Sequence, residues 1–193
     1  PGAKRTDRMK TVRVLLLVSL CVAAWAQPPA NPADARGRLR VSALLAEGRP
    51  VKIACFGDSI TGVYYHTGRR RSWCDLLGIA LARIHPQARI EMINAGVSGN
   101  DTGAALKRME NDVLRHAPHL VVVMFGMNDV RALAPVDFRN NLESIVRRAR
   151  DRGAEVILMT PNAIGPDDPV RPPARLVEYA EIVRDVGREQ ELP

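Results

Sequence analysis

The chain has 193 residues, with 28 basic and 21 acidic side chains that give a formal net charge of +7. Five of the basic residues and one acid lie within residues 1–26, so residues 27–193 carry a net charge of only +3. Because this balance is nearly even and no basic stripe with interleaved aromatic residues is present, the composition argues against a nucleic-acid partner.

The first 38 residues have the organisation of an export segment followed by a linker. Residues 1–8 precede the first methionine and are expected to be upstream sequence without a role in the fold. Residues 9–26 combine a basic start, an apolar stretch too short to span a membrane, and the small-x-small sequence Ala24-Trp25-Ala26, which is the pattern of a secretory signal peptide. We predict cleavage after Ala26, a flexible linker over 27–38, and a secreted or periplasmic protein with no stable membrane anchor.

Residues 39–193 alternate helix and strand patterns, and they suffice for one domain with its own core. In chain order we predict a helix over 39–46, a strand over 51–56, a helix capped by Ser72 and stopped by Pro86, a strand over 89–94, a helix over 104–114, a strand over 120–125, a helix over 136–150, a strand over 156–159 and a helix over 174–190. Strands and helices that alternate at this spacing form parallel βαβ units. The predicted fold class is therefore α/β, a three-layer α/β/α sandwich with a flavodoxin-like parallel sheet.

The first predicted strand ends in Gly57-Asp58-Ser59. Open α/β sheets bind ligands at the carboxyl ends of their strands, so Ser59 stands where a reactive hydroxyl is useful. A simpler interpretation is that Ser59 caps a following helix while Asp58 makes a local turn. These residues alone leave both interpretations open.

Polar loops follow three of the predicted strands, and parallel strands bring such loops to one edge of the sheet. The loops are Gly57-Asp58-Ser59, Gly96-Val97-Ser98-Gly99-Asn100 and Gly126-Met127-Asn128-Asp129. Ser59 supplies a hydroxyl nucleophile, Gly99 a backbone N–H without a side chain in the way, and Asn128 a carboxamide N–H. A hydroxyl beside two or three N–H donors is suited to attack an ester carbonyl and to stabilise its oxyanion.

With Ile60 added to the first loop and Asp101-Thr102 added to the second, the three loops resemble the sequence blocks of the SGNH hydrolases, also called the GDSL esterase family. The resemblance covers the chain from about Val51 onward. By this resemblance Ser59 is the nucleophile, and the N–H groups of Ser59 and Gly99 with the side chain of Asn128 form the oxyanion hole. The implied protein is an exported serine esterase that cleaves acyl or acetyl esters, on a small molecule or a carbohydrate, through an acyl-enzyme on Ser59.

The chain departs from the family in lacking the Asp-x-x-His block that supplies the catalytic histidine and its aspartate. None of the four histidines, His66, His85, His116 and His119, has an aspartate three residues before it. We therefore expect the native chain to continue past Pro193 with another strand and this block, and the 193-residue chain to be nearly inactive. His66, in the loop after the nucleophile, is expected to contact substrate rather than act as the base, and the other three are expected to be cationic residues at helix ends.

Other reactive or unusual residues have structural interpretations. Ser98 lies in a sequence close to G-x-S-x-G but with its second glycine one residue early, and we expect a structural role. We expect Arg69-Arg70-Arg71 to be solvated, Trp73 to pack in the core, and Cys55 and Cys74 to be core residues rather than a disulfide. No P-loop, dinucleotide fingerprint or zinc-ligand spacing is present, so no cofactor or metal is predicted.

Two other functions fit part of the pattern. The first is a glycan-binding domain that keeps the cleft without the chemistry. The second is a nucleotide- or flavin-binding flavodoxin-like module, against which the acidic Asp58 argues, because a phosphate-binding loop at this position is rich in Ser, Thr and Gly.

Overall fold

The computed structural model describes residues 39–166 and 168–193. The predicted upstream segment, signal peptide and linker lie outside the described residues and stay predictions. The described residues form helices α1 to α6 and strands β1 to β4, in the order α1 (Arg40–Ala46), β1 (Val51–Gly57), α2 (Trp73–Ile84), β2 (Ile90–Gly96), α3 (Thr102–Asp112), β3 (Leu120–Met124), α4 (Asp129–Ala132), α5 (Pro135–Asp151), β4 (Glu155–Met159) and α6 (Pro173–Glu189).

The four strands form one parallel sheet in the order β2-β1-β3-β4. Strand β1 lies inside the sheet, where Ile53 is in register with Met92 of β2 and Leu120 of β3. Strand β4 continues the sheet beyond β3, with Val121 opposite Val156. The predicted α/β fold with a flavodoxin-like parallel sheet is confirmed.

The two faces of the sheet carry separate apolar clusters, because successive side chains of a strand point to opposite sides. Ala54 and Phe56 face the cluster formed with α3, α5 and α6, whereas Val51 and Ile53 face the cluster formed with α1 and α2. Strand β1 is buried along almost its whole length for this reason. The Phe56 ring meets Phe125 edge-on at 5.2 Å between centroids, directly below the carboxyl end of the sheet.

The start of α2 agrees with the prediction, whereas α3 starts earlier than predicted and α4 is an additional helix. Ser72 precedes α2 as predicted, and its backbone N–H donates to the Asp75 carboxylate at 2.8 Å. Helix α3 begins two residues before the predicted start, because the Asp101 carboxylate accepts the Ala104 N–H at 2.7 Å. The four-residue helix α4 was not predicted, since it is shorter than one repeat of a helical apolar pattern.

The turn after β1 does not lead into a helix. Residues 58–63 form turns and bends, Tyr65–Thr67 form a short 3₁₀ turn, and α2 starts only at Trp73. The interpretation of Ser59 as the cap of a following helix is therefore wrong.

Cys55 and Cys74 are free and fully buried, as expected for core residues. A hydrogen bond with Cys74 and burial both raise the pKa of the Cys55 thiol, so the thiol form persists at neutral pH. Among the described residues, no helix has both the length and the apolar character needed to cross a bilayer.

Candidate active site

The three polar loops meet around one cavity of about 300 Å³ at the carboxyl edge of the sheet. The residues that line it include Ser59, His66, Ser98, Gly99 and Asn128. These positions are separated by up to 69 residues in the sequence, and the parallel sheet brings them together. The cavity thus brings together Ser59, Gly99 and Asn128, the three residues that the sequence singled out.

The turn that carries Ser59 is built on a close approach of backbone at Gly57. A Cβ atom on Gly57 would lie 2.0 Å from the Thr61 Oγ1 and 2.7 Å from the Met124 carbonyl oxygen. The turn then closes on Asp58, whose carboxylate accepts the Ile60 N–H at 2.9 Å. Gly57 is needed because there is no room for a side chain, and the turn that follows carries Ser59 to the cavity.

Asp58 lies beneath the cavity, with only 2% of its surface exposed. Burial raises the pKa of its carboxyl group, while the Ile60 N–H and the nearby side chains of His66 and Arg171 act in the opposite direction. Asp58 also accepts a hydrogen bond of 3.3 Å from the Asn128 side chain. The carboxylate therefore connects the first and third polar loops.

Gly99 holds a backbone conformation that favours glycine, with φ of +77°. A Cβ atom on Gly99 would have no other atom within 4 Å, so the residue stands open on the cavity side. The turn is closed by the Asn100 N–H, which donates to the Val97 carbonyl at 3.3 Å. This loop presents backbone to the cavity without an intervening side chain.

The Asn128 carboxamide is held by two hydrogen bonds from its Nδ2. It donates to the Asn100 carbonyl at 2.9 Å and to the Asp58 carboxylate at 3.3 Å. Both N–H bonds of the amide therefore have partners, and the longer one points to Asp58. A substrate oxygen that binds Asn128 must replace this longer, weaker bond.

Asp129, which the sequence analysis did not assign a role, joins the second and third loops. Its buried carboxylate accepts from the Thr102 N–H at 2.7 Å, the Thr102 hydroxyl at 2.6 Å and the Gly126 N–H at 3.0 Å. Burial raises the pKa of this carboxyl group and the three hydrogen bonds lower it, with burial the larger effect. The one sequence signal for this contact was that Thr102 and Gly126 both belong to the family-like blocks.

Two histidines lie at opposite ends of the sheet. His66 lines the cavity and stacks on Tyr65 with 3.7 Å between ring centroids. His119 lies at the amino end, where its Nδ1 accepts the Lys52 N–H at 3.0 Å. Burial and the nearby positive charges of Arg40 and Lys52 lower the pKa of His119, so the expectation that it is cationic is wrong.

The cavity also contains a second hydroxyl and two arginines. Ser98 lines the cavity beside Gly99, while Arg131 and Arg171 contribute guanidinium groups. The Nε of Arg171 donates to the Met127 carbonyl at 2.9 Å, which fixes that side chain at the third loop. Within residues 39–166 and 168–193, no cluster of three or more His, Cys, Asp or Glu side chains is arranged to hold a metal ion.

The sequence pattern of the GDSL-like lipase/acylhydrolase family matches residues 55–193. The chain belongs to this family. An arylesterase of Vibrio mimicus is 34% identical over 109 residues, which cover 56% of this chain and 53% of that protein. An acetylxylan esterase of Geobacillus stearothermophilus is 29% identical over 122 residues, covering 56% of this chain and 55% of the relative.

A solved structure shares this fold. The crystal structure of a lipase/acylhydrolase from Enterococcus faecalis superposes with a TM-score of 0.64 at 32% sequence identity, covering 74% of each chain. The 193-residue chain spans little more than half the length of the arylesterase and of the acetylxylan esterase.

Proposed function

We propose that this chain carries most of the catalytic domain of an exported serine ester hydrolase, with Ser59 as its nucleophile. The observation that carries the proposal is the convergence of Ser59, Gly99 and Asn128 on one cavity at the carboxyl edge of the sheet. Membership of the GDSL-like lipase/acylhydrolase family supports ester hydrolysis as the reaction class.

In the proposed mechanism, the Ser59 Oγ attacks the ester carbonyl carbon and the carbonyl electron pair moves onto the oxygen. The resulting oxyanion accepts hydrogen bonds from the N–H groups of Ser59 and Gly99 and from the Asn128 side chain. When the carbonyl re-forms, the alcohol leaves with a proton from the base, and the acyl group stays on Ser59. Water then releases the acid by the same steps.

The base that removes the Ser59 proton is proposed to be the histidine of an Asp-x-x-His block in the full-length protein. Among the described residues His66 lines the cavity, but its sequence neighbours supply no aspartate at the family spacing. A base must be oriented by a hydrogen-bond partner as well as lie near the hydroxyl. A His66→Gln variant of the full-length protein is therefore expected to keep its kcat within about threefold of the wild type.

Small acyl esters are the proposed substrates, with acetylated carbohydrates preferred to long-chain lipids. The cavity is small and polar, with two guanidinium groups and one imidazole among its lining residues. The name of the acetylxylan esterase relative supports an acetyl group on a sugar. The predicted leader over residues 9–26 supports export, and amino-terminal sequencing of the exported product is expected to begin at Gln27.

Hydrolysis of p-nitrophenyl acetate by the full-length protein and by its Ser59→Ala variant tests the proposal. We expect the variant to fold with an unchanged melting temperature but to lose turnover, because the hydroxyl serves chemistry and not packing. Ser98→Ala is the matched control, since Ser98 lines the same cavity, and it is expected to keep its activity. A wild type without turnover that still binds acetylated oligosaccharides would instead indicate a glycan-binding domain.

A further inference from the structure

Arg108 of α3 reaches the carboxyl edge of the sheet from below the polar loops. Its Nε donates to the Asn100 side-chain oxygen at 2.7 Å, its Nη1 to the Ala95 carbonyl at 2.9 Å and its Nη2 to the Gly57 carbonyl at 2.9 Å. These acceptors belong to the end of β1, the end of β2 and the loop that contains Gly99. One guanidinium therefore joins the nucleophile turn to the loop of the second polar block.

The network continues from Arg108 to the third loop. The Asn100 residue, whose side chain Arg108 holds, accepts the Asn128 Nδ2 on its backbone carbonyl at 2.9 Å. Gly57 lies two residues before Ser59, and Asn100 directly follows Gly99. All three proposed groups of the oxyanion hole thus lie within two residues, or one hydrogen bond, of an acceptor of Arg108.

The Arg108 guanidinium is largely buried and is held in place by several neighbours. Its side chain is only 16% exposed, its Nη1 also pairs with Asp112 at 3.0 Å, and its Cζ lies 4.8 Å from the centre of the Phe56 ring. These bonds use four of the five N–H donors of the group. The planar, rigid fork of arginine allows one side chain to bind several acceptors in fixed directions.

We propose that Arg108 is a positioning residue for the ester hydrolysis proposed above: it sets the spacing between Ser59 and the N–H donors of Gly99 and Asn128. The inference rests on that proposed function. Oxyanion stabilisation depends on donors placed in advance, and a misplacement of about 1 Å can lower a rate about 10²-fold. Arg108 does not touch the reacting atoms and acts through Gly57 and Asn100.

The Arg108→Lys variant of the full-length protein tests this role. Lysine keeps the positive charge beside Asp112, but its single ammonium nitrogen cannot bind the separate acceptors on Gly57, Ala95 and Asn100. We expect kcat for p-nitrophenyl acetate to fall about 10²-fold, with KM changed by less than about threefold. A purely structural role would lower the melting temperature without this separation of kcat from KM.

Arg148→Lys is the matched control. The Nη1 of Arg148 on α5 donates to the Leu106 carbonyl of α3 at 2.8 Å, so this arginine also binds α3, and among the described residues no hydrogen bond joins its side chain to the three polar loops. The control breaks one hydrogen bond, so it is expected to lose less stability than Arg108→Lys and to keep its kcat.

Asn100→Ala provides a second test that leaves the remaining Arg108 bonds in place. It removes only the side chain through which Arg108 holds the Gly99 loop. We expect a smaller loss of kcat than in Arg108→Lys. The double variant should have nearly the same kcat as Arg108→Lys alone, because both changes break the same hydrogen bond between Arg108 and Asn100.

The outcomes separate this inference from the proposed function. An active, Ser59-dependent wild type with full kcat in both Arg108→Lys and Asn100→Ala would overturn the positioning role alone. An equal loss of kcat in Arg148→Lys would overturn it too. A wild type without Ser59-dependent turnover would overturn the proposed function, and the positioning role with it.

Discussion

The two ends of the sheet bury polar groups in different ways. At the amino end, the fully buried Glu155 accepts the N–H groups of Arg40 and Val41 at the start of α1, and the His119 Nδ1 accepts the Lys52 N–H. At the carboxyl end, the buried Asp58 and Asp129 bind the polar loops, and the residues beyond them line the cavity.

The difference separates polar groups that hold the fold from those available to a substrate. The amino-end groups bind helix and strand backbone, and the unmet N–H donors of α1 explain why a carboxylate is buried there. At the carboxyl end the buried carboxylates hold loops, and among the described residues no hydrogen bond engages the Ser59 hydroxyl. Changes to Ser59, to the proposed oxyanion donors and to the groups that hold them should therefore affect catalysis, whereas changes at the amino end should affect only stability.

Asn128→Ala is expected to give the largest effect among variants that keep the nucleophile. It removes one of the proposed oxyanion donors, so kcat should fall by about 10²–10³, equivalent to roughly 3–4 kcal/mol, with a much smaller change in KM. Steady-state kinetics with p-nitrophenyl acetate measure both constants. An unchanged kcat in a folded variant would remove Asn128 from the site.

Gly57→Ala tests how tightly the turn that carries Ser59 is packed. The new Cβ would meet the Thr61 side chain and the Met124 carbonyl, both within 2.7 Å, and the resulting shift should cost about 3 kcal/mol of unfolding free energy. Urea denaturation measures this cost. In the control Gly187→Ala, the added methyl group on α6 has no atom within 4 Å, and the variant should be stabilised by about 0.5–1 kcal/mol. Equal stability of the two variants would contradict the close packing at Gly57.

Glu155→Gln probes the amino end, where a loss of stability without a loss of activity is expected. A glutamine side chain offers one acceptor and one donor group, so one of the two N–H groups of Arg40 and Val41 loses its acceptor at a cost of about 2 kcal/mol. Thermal unfolding and kcat should be measured together. A fall in kcat larger than about threefold, measured where the variant is fully folded, would contradict the claim that the amino end contributes only to stability.

The smallest expected effect is a pH dependence of stability that comes from Asp129. Because burial raises the pKa of this carboxyl group in the folded state, its contribution is most favourable below the unfolded-state pKa of about 4 and is lost as the pH rises through the folded-state pKa. Between these two pKa values, the unfolding free energy of the wild type should therefore decline with rising pH relative to that of Asp129→Asn, whose side chain at this position does not titrate. Parallel curves for the two proteins would contradict this assignment.

The sequence predicted the features that depend on local pattern. The alternation of strands and helices predicted the parallel sheet, and the polar residues after β1, β2 and β3 predicted which loops meet at one edge. The contacts of Arg108 were not predictable, since its Gly57 acceptor is 51 residues away and only the packed fold brings them together. The lowered pKa of His119 likewise depends on burial and on the charges of Arg40 and Lys52, which the folded structure brings to it.

The most direct test of the account is the reaction of the full-length protein with diethyl p-nitrophenyl phosphate, followed by peptide mass spectrometry. An activated serine hydroxyl attacks the phosphorus, releases p-nitrophenolate and keeps the diethylphosphoryl group on its Oγ. We expect this group on Ser59, with loss of esterase activity in proportion to the modification and with Ser98 unmodified. Modification of Ser98 instead, or an active enzyme whose Ser59 stays unmodified while activity is lost, would contradict the assignment of the nucleophile.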